Sequence, residues 1–311
     1  MREQPVWRSL LFVPVNVPRF VAKAADCGAD AIILDLEDSI ALSQKNAARD
    51  AIPAAAAALS GQGPEVGVRI NRPLRDAVRD IEAAVRPGVT FLAIPKVADA
   101  SHLLLLCEVI DAVESERGMQ HGTTKLIAMI EDPIGYRHMH DISRSSDRLV
   151  AMSLGTEDFA SEMGMEPTLA TLTQPKQNMA IAARAGGLAP LGIVGPTTHL
   201  SDTEGFRTAA ELSATFGFVG SFAVHPSQVP ILNAAFSPTA TALARAIAVA
   251  EAADRAAEQG LGAVSLDGKM IDRPVVERAR SLIGRAARIA GMSKGDFQQK
   301  PSEPSAASVR L

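Results

Sequence analysis

The 311-residue chain is predicted to fold as an α/β protein, a (β/α)8 barrel of the TIM type with a C-terminal helical extension. Three observations predict it. Short apolar runs alternate with helical stretches over the first three quarters of the chain, and eight such runs can be placed. The joints between them are short and carry Gly or Pro, as right-handed β–α–β crossovers require. Hydrophobic residues make up 47% of the chain but aromatics only 4%, a core of Ala, Val, Ile and Leu that suits parallel strands covered by helices.

The elements follow in order. SLLFVP (9–14) reads as the first strand and 18–27 as its helix. DAIILDLED (30–38) is the second strand, before the Ala-rich helix 44–59; EVGVRIN (65–71) is the third, before a helix over 74–85. VTFLAIPK (89–96) and a long helix to 117 come next, then TKLIAMIED (124–132) with a shorter helix to 142, then RLVAMSLGTED (148–158) as the sixth strand. Beyond it the pattern weakens, with strands expected at 188–195 and 217–226 and an amphipathic helix at 204–215. Residues 1–235 form the barrel on this reading. Residues 236–293 form an extension with helices over 240–259 and up to 290, and the Ser-, Pro- and Gln-rich stretch 294–311 is expected to be a disordered tail.

Composition excludes several classes. With 31 basic and 35 acidic residues there is no basic block of the kind that neutralises nucleic-acid phosphates. No apolar run approaches membrane-spanning length. Cys27 and Cys107 are the only cysteines, with no CxxC pair, so a reducing cytoplasm is expected. No GxGxxG or P-loop follows the first strand, which counts against nucleotide binding.

Polar residues gather where the predicted strands end: Glu37 and Asp38, Arg69 and Asn71, Lys96, Glu131 and Asp132, Glu157 and Asp158, and His225. In a barrel these ends converge on one mouth, where barrel enzymes keep their active sites. Singly, each reads equally well as a solvated loop residue or a helix cap. Carboxylates converging without Cys or His partners suit a hard divalent ion such as Mg2+. An Arg beside such an ion suits stabilisation of an enolate.

RSLLFVP (8–14), LDLEDSI (34–40), VRIN (68–71), IPKV (94–97), MIED (129–132), LGTEDFA (154–160), VHPSQV (224–229) and LDGKMIDRPVVERA (266–279) resemble the HpcH/HpaI aldolase and citrate lyase β-subunit family, and in particular its CitE-like branch with the malyl-CoA and citramalyl-CoA lyases. The resemblance implies a magnesium-dependent carbon–carbon lyase assembled as a homotrimer or hexamer. Glu131 and Asp158 would ligate the metal, and Arg69 would hold the carbonyl or enolate oxygen. Glu37 and Asp38 would sit beside the ion and order its waters. Backbone N–H groups across Gly155, Thr156, Glu157 and Asp158 would bind the oxo-acid carboxylate. Asp272 would reach a neighbouring subunit's site as general acid/base, or simply cap the final helix ahead of Pro274. Phe12, Lys23, His225 and Pro226 match positions lining the CoA or substrate channel, with a structural role open for His225. Lys96 would be a charge partner of Glu131.

The chain departs from the family wording in places. Val15 and Val17 stand where the first loop usually has Gly and Arg, Asp132-Pro133 follows Glu131, and Gln174-Pro175-Lys176-Gln177 replaces a YARS-like element. The metal set is therefore more complete than the CoA contacts. The expected reaction is cleavage of a β-hydroxyacyl-CoA such as malyl-CoA or citramalyl-CoA to a 2-oxo acid and acetyl-CoA. A CoA-independent 2-oxo acid aldolase and a citrate lyase β-type subunit acting on a carrier-bound acyl group are the alternatives.

Overall fold

The structure, a computed structural model, describes residues 4–195 and 202–291. The chain divides into two compact units, Met1–Phe236 and Ser237–Leu311. The expected tail at 294–311 lies outside the described residues.

In the first unit eight parallel strands alternate with helices: β1 Ser9–Pro14, α1 Pro18–Ala24, β2 Ala31–Asp35, α2 Lys45–Leu59, β3 Glu65–Arg69, α3 Leu74–Ala84, β4 Phe91–Ile94 and α4 Ala100–Glu116. Then come β5 Lys125–Ile130, α5 Pro133–Arg137, α6 Met139–Ile142, β6 Leu149–Leu154, α7 Thr156–Met163, α8 Leu169–Ala185, β7 Ala189–Leu191, α9 Thr203–Thr215, β8 Ser221–Ala223 and α10 Val229–Ala235. The sheet runs β7-β6-β5-β4-β3-β2-β1-β8. A parallel bridge from Leu191 to Gly220 joins its two ends, making the barrel. Gly220 suits the seam because a Cβ there would lie 1.8 Å from the Trp7 carbonyl oxygen.

Two apolar layers follow from strand alternation. Leu34, Val68, Leu92, Leu126 and Met152 face outward into the helix–sheet core, while Leu10, Ile33, Phe91, Ala93, Ile127, Met129 and Ala151 fill the barrel. Gly67 makes room for Phe91, whose ring carbons would be 2.2 Å from a Cβ at that position. Trp7 packs on Phe91 at 4.6 Å and donates from its indole Nε1 to Glu65 Oε1 at 3.0 Å.

Several strands are shorter than the sequence reading. β2 stops at Asp35 rather than residue 38, and β3 stops at Arg69 rather than 71. β6 stops at Leu154, so Glu157 and Asp158 do not close a strand: both lie in the first turn of α7. Backbone bonding explains the change, since Gly155 N–H still donates to Ile130 O at 2.8 Å and the chain then turns into a helix capped by Gly155. The sequence reading also missed α8, which contains Pro175 and starts in a Thr168/Thr171 capping box.

In the second unit α11 (Ala240–Glu258) is followed by a hairpin of β9 (Val264–Leu266) and β10 (Lys269–Ile271) and by α12 (Arg273–Ile289). The hairpin was not expected. It turns at Asp267-Gly268, both with positive φ, as a two-residue hairpin loop requires. Val249, Ala250, Ile271, Ala279 and Ile283 form this unit's own apolar cluster.

Candidate active site

Strand alternation places the polar groups. Asp35 lies two residues beyond the inward Ile33, Arg69 two beyond Gly67, Glu131 two beyond Met129 and Gly155 two beyond Ser153. All continue the inward faces of their strands at the C-terminal mouth, and Asp35 and Arg69 are direct register partners.

Arg69 organises one side. Its Nε and Nη2 donate to the two oxygens of Asp35 at 2.7 and 2.8 Å, and Nη1 lies 2.9 Å from Glu37 Oε2 and 3.3 Å from Asp38 Oδ2. Its Cζ stands 4.6 Å from the centroid of Phe12, which stacks on Phe222. The carboxylates raise the Arg69 pKa against the effect of burial, so it stays charged. Burial pushes the Asp35 carboxyl up, but the Arg69 fork, Ser39 and Glu37 N–H outweigh it and hold it below the usual range. Asp35 was not singled out from the sequence, and its position on the inward face of β2 was the signal available.

Lys96 organises the other side. Its Nζ lies 3.1 Å from Glu37 Oε1, 3.2 Å from Asp158 Oδ1 and 3.7 Å from Glu131 Oε2. Its own backbone N–H donates to Glu131 Oε2 at 3.1 Å, and Arg72 Nε holds its carbonyl at 3.0 Å. Those bonds keep Lys96 at φ 49°, a left-handed conformation costly for a residue with a side chain. Lys96 thus partners Glu131, as expected, and also draws Glu37 and Asp158 to one point.

The carboxylates are crowded. Glu131, 2% exposed, is pushed up to about 8 by burial first and then by Glu37 and Asp158. Burial likewise raises Glu37. Glu37 Oε2 is a buried oxygen without a hydrogen bond, because its approach to Arg69 lacks the alignment for one. Gly155 lets α7 start against this cluster: a Cβ there would meet Glu131 Cγ at 2.7 Å.

The remaining expected residues fall into two groups. Thr156, Glu157 and Asp158 form the first turn of α7, where N–H groups lack intrahelical partners. Gly155 is a correction: its N–H is already given to Ile130 O, so it offers a close approach and not a donor. Lys23 is exposed on α1, and Pro226 is exposed at the start of a short 3-10 turn. His225 caps that turn, accepting at Nδ1 from Ser227 N–H at 3.2 Å. Asp272, in the second unit, is exposed and caps α12 by accepting from Val275 N–H.

A second acidic group, Asp111 and Glu114 with His121, lies at the N-terminal ends of β5 and β6, away from the mouth. Arg148 donates to both carboxylates, and Glu114 also accepts from the N–H groups of Gly122 and Thr124. These bonds account for its charge.

A barrel with buried carboxylates, an arginine fork and a lysine at the C-terminal mouth is the architecture of an enzyme that manages negative charge on oxygen. The chain belongs to the HpcH/HpaI aldolase/citrate lyase family, which it matches over residues 8–226, and it is a carbon–carbon lyase. It is 33% identical to the citrate lyase subunit beta of Leuconostoc mesenteroides subsp. cremoris over 304 residues, 96% of this chain and all of that one. It is 34% identical to an L-malyl-CoA/beta-methylmalyl-CoA lyase of Cereibacter sphaeroides over 307 residues, 91% of this chain and 95% of that one. A crystal structure of protein CitE from Mycobacterium tuberculosis in complex with magnesium, acetoacetate and coenzyme A matches with a TM-score of 0.67 at 28% identity, covering 90% of this chain and 97% of that one. Among the described residues no helix is long and apolar enough to cross a membrane.

Proposed function

We propose that the barrel mouth binds Mg2+ through Glu131 and Asp158 and cleaves a β-hydroxyacyl thioester, such as malyl-CoA or citramalyl-CoA, to a 2-oxo acid and acetyl-CoA. The observation that carries this reading is the convergence of Glu37, Glu131 and Asp158 on Lys96 Nζ. The donor set is all oxygen, as a hard ion needs, and the Glu131 pKa, raised by burial and by Glu37 and Asp158, marks a site with more carboxylates than cations. When bound, the ion supplies a fixed positive charge against which a 2-hydroxy carboxylate can be held.

The rest falls to the chain's own groups. The N–H groups of Thr156, Glu157 and Asp158 receive the substrate carboxylate at the positive end of α7. As the hydroxyl loses its proton and the C–C bond breaks, the electron pair passes to the thioester enolate, whose oxygen Arg69 stabilises. Asp35 fixes the guanidinium, while Glu37 and Asp38 order water beside the ion. Asp272 of an adjacent copy, as carboxylate, takes the hydroxyl proton and then gives it to the enolate carbon, so the reaction is proton-neutral. Phe12 supports Arg69 at the entrance, and Lys23, His225 and Pro226 line the outer channel. This arrangement calls for a homotrimer or hexamer, and a reducing cytoplasm fits the two free cysteines.

The relatives include both citrate lyase subunits beta and malyl-CoA lyases, which keeps a carrier-bound acyl group as the second reading. Val15, 2% exposed, fills the first loop with apolar packing where the family wording has Gly. The test is to supply malyl-, methylmalyl-, citramalyl- and citryl-CoA, their carrier-bound forms and free 4-hydroxy-2-oxo acids, each with Mg2+ or EDTA. Mg2+-dependent release of a 2-oxo acid from a CoA thioester is expected. Turnover confined to carrier-bound or to free acids selects the respective alternative, and a full rate in EDTA rejects the metal site.

A further inference from the structure

Lys176 is 1% exposed on α8, yet it carries an ammonium group that the mechanism above does not use. Its Nζ donates to the Leu154 carbonyl at 2.5 Å and to Thr156 Oγ1 at 3.0 Å. Those two residues flank Gly155, the point where β6 ends and α7 begins. Gly155 has no side chain with which to cap α7, so the junction lacks the usual internal fastening. Lys176 reaches it from the following helix and ties strand end to helix start.

Among the described residues its electrostatic partner is Glu157, and no carboxylate forms an ion pair with it. Burial is the larger influence and lowers its pKa to about 7. When protonated, this buried group also adds to the positive potential of that helix start. For packing alone a methionine of similar length would serve without burying a charge.

We propose that Lys176 is a positioning residue for the oxo-acid end of the substrate: its buried amino group clamps the β6–α7 junction and holds the N–H groups of Thr156 to Asp158 in place for a carboxylate. This rests on the reading of α7 given under Proposed function. Its consequence is selective, because the acyl-thioester fragment is held elsewhere in the mouth. Loss of Lys176 affects the small 2-oxo acid and spares the thioester.

The experiment runs the reaction in the condensation direction, with glyoxylate or pyruvate and acetyl-CoA, for wild type, Lys176→Met and Lys176→Arg. Binding of the same oxo acids is measured by titration calorimetry in Mg2+, and folding by circular dichroism. Lys176→Met is expected to raise the KM and Kd for the oxo acid about tenfold, as the helix-start donors it holds lose their alignment, with KM for acetyl-CoA within about twofold. Lys176→Arg is expected to restore the oxo-acid KM to within about threefold of wild type. If Lys176→Met does not fold, Lys176→Gln, which keeps a donor but no charge, carries the same comparison. A folded neutral variant with wild-type oxo-acid affinity, or with both KM values raised together, overturns the proposal. A wild-type protein that binds no 2-oxo acid refutes the parent reading instead.

Discussion

Glu131 illustrates how an enzyme site costs stability when its charges are uncompensated. In the unfolded chain this carboxyl ionises near the ordinary 4.5, whereas in the folded protein without metal it holds its proton to about 8. Between those values the folded state binds more protons than the unfolded one, so stability falls as pH rises and levels off above about 8. At about 1.36 kcal/mol per pH unit the whole interval is worth at most ~5 kcal/mol. Glu131→Gln removes the ionisation, so in EDTA its stability should lack this decline and exceed that of wild type at pH 8.5. Mg2+ should stabilise wild type at pH 8.5 and leave the variant unchanged, because ligand binding to the folded state alone adds stability. The assay is urea unfolding at pH 5 and pH 8.5, followed through Trp7, the single tryptophan, which is buried against Phe91 inside the barrel. Even a third of the full effect, roughly 2 kcal/mol, moves the midpoint by at least half a molar. Parallel pH dependences for wild type and Glu131→Gln in EDTA would refute the reasoning.

Two further outcomes are expected. Arg69→Lys should keep the charge but lose roughly 10²–10³ in kcat, since an ammonium cannot span both Asp35 oxygens and also face an enolate; steady-state kinetics within about threefold of wild type would assign Arg69 to structure alone. Co-expressing Asp272→Asn with Glu131→Ala should restore partial activity in tag-verified mixed oligomers; its absence there would mean that Asp272 acts within its own chain or only caps α12.

Much of the barrel was legible because its strands are unbroken apolar runs such as AIILD and KLIAMI, bounded by turns. Strand ends were less legible. LDLED and LGTED look continuous, yet once the inward and outward apolar positions are exhausted the chain turns away to place its carboxylates. Residues 169–177 concealed α8 because Thr, Gln and Pro175 weaken the helical pattern that the capping box and tertiary packing restore. Glu37 and Asp38 are adjacent in sequence but differ in the structure: Glu37 is buried against Lys96, whereas the Asp38 side chain is 58% exposed. Spacing alone carries no information about which of two neighbouring carboxylates enters the site. Lys176 was visible as a departure from family wording, but its role requires knowing what lies above its ammonium.

The seam of the barrel also bears on how the chain folds. Strands β1 to β7 each pair with a sequence neighbour, so those ladders close loops of modest length. The β1–β8 ladder instead joins Ser9 to Ser221, more than 200 residues apart. During synthesis the free edge of β1 therefore waits for almost the whole barrel to emerge before it can be covered. Until then its unpaired N–H and C=O groups offer a template to any passing strand. β8, only three residues long, is the piece that ends this exposure, which gives its brevity a large consequence for the yield of folded protein.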